Sequence, residues 1–263
     1  MSAYLAEILA LTFTGFAAVY PILLWITPYK FVDGGFYRFN QGMVSIIGTL
    51  GVVFFYLSEL GQTYLTVGVL WMVIQLFVTA IYWNSKRISN FITSVPSFFG
   101  ISFLVIMNNA LIPYNINIIN HFIILIGHTI LASVVFSMIL GHWYLNVIQL
   151  PIRLLRNSVV LLWILLGIRA IWNCYGILIF EVEDSYGIVQ SLGSFLWTYE
   201  GFLLSIAIFF GVLVPFVLNG FIWRTIIIQS TQSATGLLYV SVVAVIFGDL
   251  FYKNYTFQFG LIL

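Results

Sequence analysis

Charge is nearly absent from this chain, and where it occurs it falls mostly in the gaps between long apolar runs. Only 6% of the 263 residues are Asp, Glu, Lys or Arg, while 62% are hydrophobic. Soluble domains carry about a quarter charged residues, so the composition argues against a water-soluble globule. Several of the apolar runs exceed the ~20 residues that cross a bilayer core as a helix. A backbone in hydrocarbon must satisfy its own hydrogen bonds, which a helix does within itself. We therefore expect an all-α, polytopic integral membrane protein, with residues 1–263 forming one helical domain and little mass outside the membrane.

Prolines and polar breaks divide the chain into eight predicted helices: Ala3–Thr27, Gln41–Leu57, Thr63–Trp83, Phe91–Leu111, Asn117–Tyr144, Arg156–Phe180, Leu192–Leu218 and Thr225–Leu250. The N-terminal stretch lacks a basic region and a small-residue cleavage site, so it reads as a retained first helix. Cys174 is the single cysteine, which rules out an internal disulfide. A net charge of +1 gives no basis for nucleic-acid binding, and no cytochrome c attachment motif or nucleotide-binding loop is present.

Loop charges provide a check on the helix count. If eight helices alternate in direction, one side receives Lys30, Arg38, Lys86, Arg87, Arg153, Arg156 and Arg224, with Asp33 as its one acid. The other side receives Glu7, Glu59, Glu181, Glu183, Asp184, Asp249 and Lys253. A wrong count would scramble this sorting. By the positive-inside rule the basic side is cytoplasmic and both termini face outward. The acidic loop Glu181–Asp184 is then a candidate dock for a basic soluble electron carrier, although loop charges are more often simply solvated. We expect a bacterial inner membrane as the location.

All three histidines fall on the fifth predicted helix. His121, His128 and His142 are spaced so that their side chains point the same way within about 60°. Counting ~1.5 Å per residue places His128 roughly 15 Å from the outer end, His142 near the cytoplasmic end, and Arg169 and Glu200 at a depth similar to that of His128. A buried arginine costs at least ~2.5–3.5 kcal/mol on insertion scales, so it needs an acid, and Glu200 is the expected partner. The alternative reading is a structural ion pair between the sixth and seventh helices. At the cytoplasmic end, His142 is joined by Arg38, Arg153, Arg156, Arg224, Gln229, Gln232, Ser233 and Thr235, which suit propionates, quinone carbonyls or lipid phosphates. The small polar run Ser230–Gly236 is either a packing seam or the wall of a site.

The spacing of His128 and His142, fourteen residues and about 21 Å along the axis, resembles the pattern of cytochrome b helices, where one helix offers a histidine to each of two stacked haems. The resemblance covers one helix and two residues. It departs in number, since two bis-histidine haems need four histidines on facing helices and this chain has three on one. A haem would need a single histidine, a ligand from another subunit, or a methionine such as Met43, Met72, Met107 or Met138.

The leading expectation is thus an integral-membrane subunit of an electron-transfer complex that binds haem b or quinone. His128 and His142 would be iron or quinone ligands, Arg169 would neutralise charge and Glu200 would relay protons. Its partners would be other membrane subunits and lipids. An ion-coupled transporter with a midplane site built on His128, Arg169 and Glu200 is the first alternative, and a ligand-free structural subunit the second. Asn254–Thr256 is a glycosylation sequon on the predicted outer side.

Overall fold

The computed structural model describes residues 4–58, 64–83, 85, 89–147 and 150–263. Glu59, Lys86 and Arg87 lie outside the described residues. Among the described residues, eight helices are long and apolar enough to cross a membrane. They are built from α1 (Leu5–Leu23), α2 (Gly34–Leu57), α3 (Leu65–Tyr82), α4 (Asn90–Leu111), α5 (Ile118–Asn146) and α6 (Arg153–Ile179). A seventh is made jointly by α8 (Phe202–Ile208), a π-helical turn Phe209–Leu213 and α9 (Val214–Ile227), and the eighth is α10 (Thr231–Phe259). Between the sixth and seventh lie a hairpin of β1 (Glu181–Glu183) and β2 (Val189–Ser191) and the short helix α7 (Leu192–Phe195).

Local chemistry sets several of these ends. Asp33 caps α2 by accepting from the Phe36 amide at 3.2 Å, and Asn117 caps α5 by accepting from Asn120 at 2.8 Å, each satisfying one of the unpaired first-turn amides. α4 stops at Ile112, which is extended because Pro113 follows it. α10 closes on Gly260 at φ 68°, a left-handed C-cap that glycine adopts without strain.

α1 is the central helix, and α5 flanks it. Thirteen of the nineteen residues of α1 are buried, and it packs on α2, α4, α5 and α10. α2, α3 and α4 form a layer on one side of it, while α6 and α10 pack on α5 at the other and α9 packs on both of them. Large apolar side chains cover the outside instead: Phe77, Phe98, Ile118, Ile171 and Leu178 are all exposed. An apolar surface of this extent suits a lipid solvent.

The two ends of the bundle differ in charge. Tyr4 stacks on Phe257 at 5.5 Å, so the start of α1 and the end of α10 share one end with Glu7, Glu181, Glu183, Asp184 and Glu200. At the other end Arg153 lies 4.5 Å and Lys30 5.0 Å from the Phe31 ring, beside Arg38, Arg156 and Arg224. The sorting expected from the loops therefore holds for these residues. Asp249 and Lys253 depart from it, because α10 runs to Phe259 and encloses both.

Polar side chains tie the α2–α4 layer together. Gln75 donates to Gln41 at 2.8 Å, and Ser45 meets Thr79 at 3.1 Å; all four are buried. Gln75→Leu is expected to cost about 1 kcal/mol, the scale of interhelical hydrogen bonds in membrane proteins. The double change Gln41→Leu/Gln75→Leu is expected to recover most of it, as judged by thermal unfolding in detergent.

Candidate functional site

The site is a layer of ionisable side chains buried where α1, α5, α6 and α10 meet. Arg169 lies ten residues before the end of α6, Asp249 ten before the end of α10, and His128 ten after the start of α5. At ~1.5 Å per residue each is roughly 15 Å from the acidic end. Lys253 lies one turn beyond Asp249 and forms an ion pair with it. Thr12 of α1 also reaches the Asp249 carboxylate, at 3.5 Å.

Arg169 is 6% exposed. Its guanidinium donates to the Ile123 carbonyl at 3.1 Å and lies 4.5 Å over the Tyr252 ring. Asn173 donates to the Tyr252 hydroxyl at 2.5 Å, which holds that ring in place. The guanidinium and the Asp249 carboxylate both border Gly127 of α5, whose Cβ position lies 3.4 Å from Nη1 and 4.0 Å from an Asp249 oxygen. Among the described residues, however, Lys253–Asp249 is the sole ion pair within 4 Å. The layer thus holds two cations and one carboxylate.

His128 is 1% exposed, and neither ring nitrogen has a hydrogen-bond partner among the described residues. Its ring lies flat against α1 at Gly15, where a Cβ would fall 2.2 Å from Nδ1. A cavity of about 30 Å³, lined by His128, Arg169, Asp249, Tyr252, Lys253 and Thr256 among others, adjoins the layer. That is room for a water molecule or two.

The π-helical turn of the seventh span presses on α10 beside this layer. A Cβ on Gly248 would lie 2.2 Å from the Gly211 Cα, so the two backbones are in direct contact one residue from Asp249. π turns occur mostly as single-turn bulges within α-helices, frequently at functional sites.

Several sequence expectations change. Glu200 is not inside a span: it precedes α8, and its carboxylate accepts from the Ser185 hydroxyl and, at 3.2 Å, from the Ser185 amide. It therefore does not meet Arg169. The cause is a break in the predicted Leu192–Leu218 helix. Gly201, whose Cβ would stand 1.9 Å from the Phe195 carbonyl oxygen, lets the chain fold back on α7 before α8 begins. Arg224 belongs to the last turn of α9, because the break before α10 falls at Ile228–Ser230 with Gln229 at φ 57°.

The three histidines of α5 differ in surroundings: His128 is buried, His142 is exposed, and His121 is half-buried at 3.5 Å from Asn108. Gly141 carries the α5–α10 contact at that level, its Cβ position 2.7 Å from the Thr235 hydroxyl, and His142 is turned away from it. The sequon is enclosed, with Asn254, Tyr255 and Thr256 all buried in α10.

The cavity beside His128 is smaller than a haem or quinone ring system, and His142 is exposed. Among the described residues no group of three metal-ligating side chains converges. A larger groove of about 530 Å³ between α8, the π turn and α10 is lined by aliphatic and phenylalanine side chains such as Ile206, Phe210 and Phe247. It offers no side-chain hydrogen bond to a quinone headgroup.

At the acidic end, a basin of about 980 Å³ opens between the hairpin and the ends of α1 and α10. Its walls include Glu183, Asp184, Glu200, Tyr4, Tyr114 and Tyr199, and no lysine or arginine lines it. Sequence reasoning found the acids of this basin but missed the pair beneath it. The signal was the spacing of Asp249 and Lys253, an acid four residues before a base on one helix.

Fold and site together define an almost entirely helical chain with eight candidate membrane spans and a buried charged layer. No family model, curated protein or solved structure matches it.

Proposed function

We propose that this is a multi-pass membrane protein, with both termini outward, that works as an ion-coupled carrier. The coupling ion in this reading is the proton, and the Arg169–Asp249–Lys253–His128 layer is where it exchanges. The observation that carries the reading is the charge count of the layer: two cations against one carboxylate, with an unpartnered histidine beside them. Ionisable groups inside a membrane span are expensive, and they mark ion pathways and proton relays. The layer reaches neutrality by losing one proton or gaining one anion, so its protonation and its occupancy are linked. The acidic basin supports the same reading, because an acid-lined mouth concentrates cations at the outer end.

Proteoliposomes containing a trapped pH dye and an imposed potassium diffusion potential test this reading. Wild-type protein is expected to carry protons into the vesicles, and Asp249→Asn to reduce the flux to that of protein-free vesicles. Wild-type flux at the protein-free level would overturn the reading.

A further inference from the structure

Beyond the ionisable layer, one seam of the bundle has polar groups with nothing to bond. Ser133 and Ser137 of α5 and Ser241 of α10 are each at most 1% exposed, and none of the three hydroxyls has a hydrogen-bond partner among the described residues. Thr14 and Ser97 share this state, but many other hydroxyls in the bundle do not. Thr12, Thr49, Thr79, Ser102, Thr129, Thr235 and Thr256 each donate to the carbonyl four residues back. That bond is always within reach of a helical serine or threonine. Ser133, Ser137 and Ser241 are turned away from it, and buried polar groups left so are ordinarily satisfied by ordered water.

The three serines lie at neighbouring heights along α5 and α10. α5 and α10 run antiparallel, with Gly127 opposite Asp249 and Gly141 opposite Thr235. That pairing places Ser241 level with position 135 of α5, between Ser133 and Ser137. Starting from the Gly127–Asp249 level, the hydroxyls of Ser133, Ser241, Ser137 and Thr235 follow at about 9, 12, 15 and 21 Å. After a first interval of about 9 Å, which takes more than one water molecule, the axial steps are about 3, 3 and 6 Å. Past Thr235 the chain reaches Gln232 and Ser233, which are exposed at the basic end.

We infer that the α5–α10 seam holds a file of water that connects the Asp249 layer to the basic end, and that it is the inner half of a proton route. The inference rests on the carrier reading for its purpose, but the presence of water stands on the unpartnered hydroxyls. Protons would pass between hydroxyls and waters by exchange of hydrogen bonds, with no net chemistry at any serine. A dry small-residue packing seam is the competing structure.

Cysteine accessibility separates the two. In a Cys174→Ser background, which removes the exposed native thiol, Ser133→Cys, Ser137→Cys and Ser241→Cys are treated in membranes with a small water-soluble thiosulfonate. The reagent needs a thiolate, and a thiolate needs water. The three cysteines are expected to label, while Val134→Cys and Leu238→Cys, buried in the same helices, are expected not to. No labelling at all three positions overturns the inference, whatever the vesicle flux. Labelling without wild-type proton flux supports the water file and removes the carrier reading. Ser137→Ala, which changes volume little, provides a second arm. It is expected to slow proton flux while the protein melts as wild type does, and an unchanged flux overturns the route.

Discussion

Asp249→Leu is expected to destabilise the protein by about 3–5 kcal/mol, the cost of removing one partner of a buried ion pair. The change leaves Lys253 and Arg169 facing each other in a low-dielectric layer with no carboxylate near them. Asp249→Leu/Lys253→Met is expected to recover most of that loss, because replacing both members of a buried pair with apolar groups of similar size is often neutral. Arg169 then keeps the Ile123 carbonyl and the Tyr252 ring. Thermal unfolding of the purified variants in one detergent measures both. Equal losses in the single and double variants would show that the pair is not where the strain resides.

Gly248→Ala is expected to destabilise the protein by about 3 kcal/mol or more, the upper range for overpacking. The new Cβ would stand 2.2 Å from the Gly211 Cα and 2.5 Å from its nitrogen. Both are backbone atoms, so no rotamer change relieves the clash. Either α10 moves off the π turn, carrying Asp249 with it, or the π turn reverts to a regular helix. A large drop in the midpoint of thermal unfolding, or the loss of monodisperse protein in detergent, is the expected result. A stability equal to that of the wild type would mean that the two backbones are not in contact. Gly236→Ala is the matched control, since a Cβ there meets nothing within 4 Å.

How much of this could be read from the sequence follows from the physics of each part. Apolar runs long enough to span a bilayer are a one-dimensional signal, and all eight spans correspond to predicted helices. The charge sorting of the ends followed from the same count. Arg169 and His128 were legible as buried ionisable groups because each lies well inside a run. Glu200 was misplaced because the pattern from Leu192 to Leu218 stays helical in composition. The break at Gly201 is a tertiary event, a backbone approach to the Phe195 carbonyl that hydropathy does not register. Asp249 and Lys253 were assigned to the outer end for a related reason. Ending the last helix at Leu250 instead of Phe259 left Asp249 at its outer end and Lys253 beyond it. The histidine face was correct as angular arithmetic on an isolated helix. The side of α5 that faces α10 carries Gly141, whose contribution is an absent side chain.

The most direct test of the central claim is proton flux in vesicles carrying the Asp249→Leu/Lys253→Met double variant, measured beside its unfolding midpoint. If the layer exchanges protons, this variant melts close to wild type and its flux falls to that of protein-free vesicles. A double variant that conducts protons as well as the wild type would contradict the account, because the route would then bypass the charges around which the bundle is built.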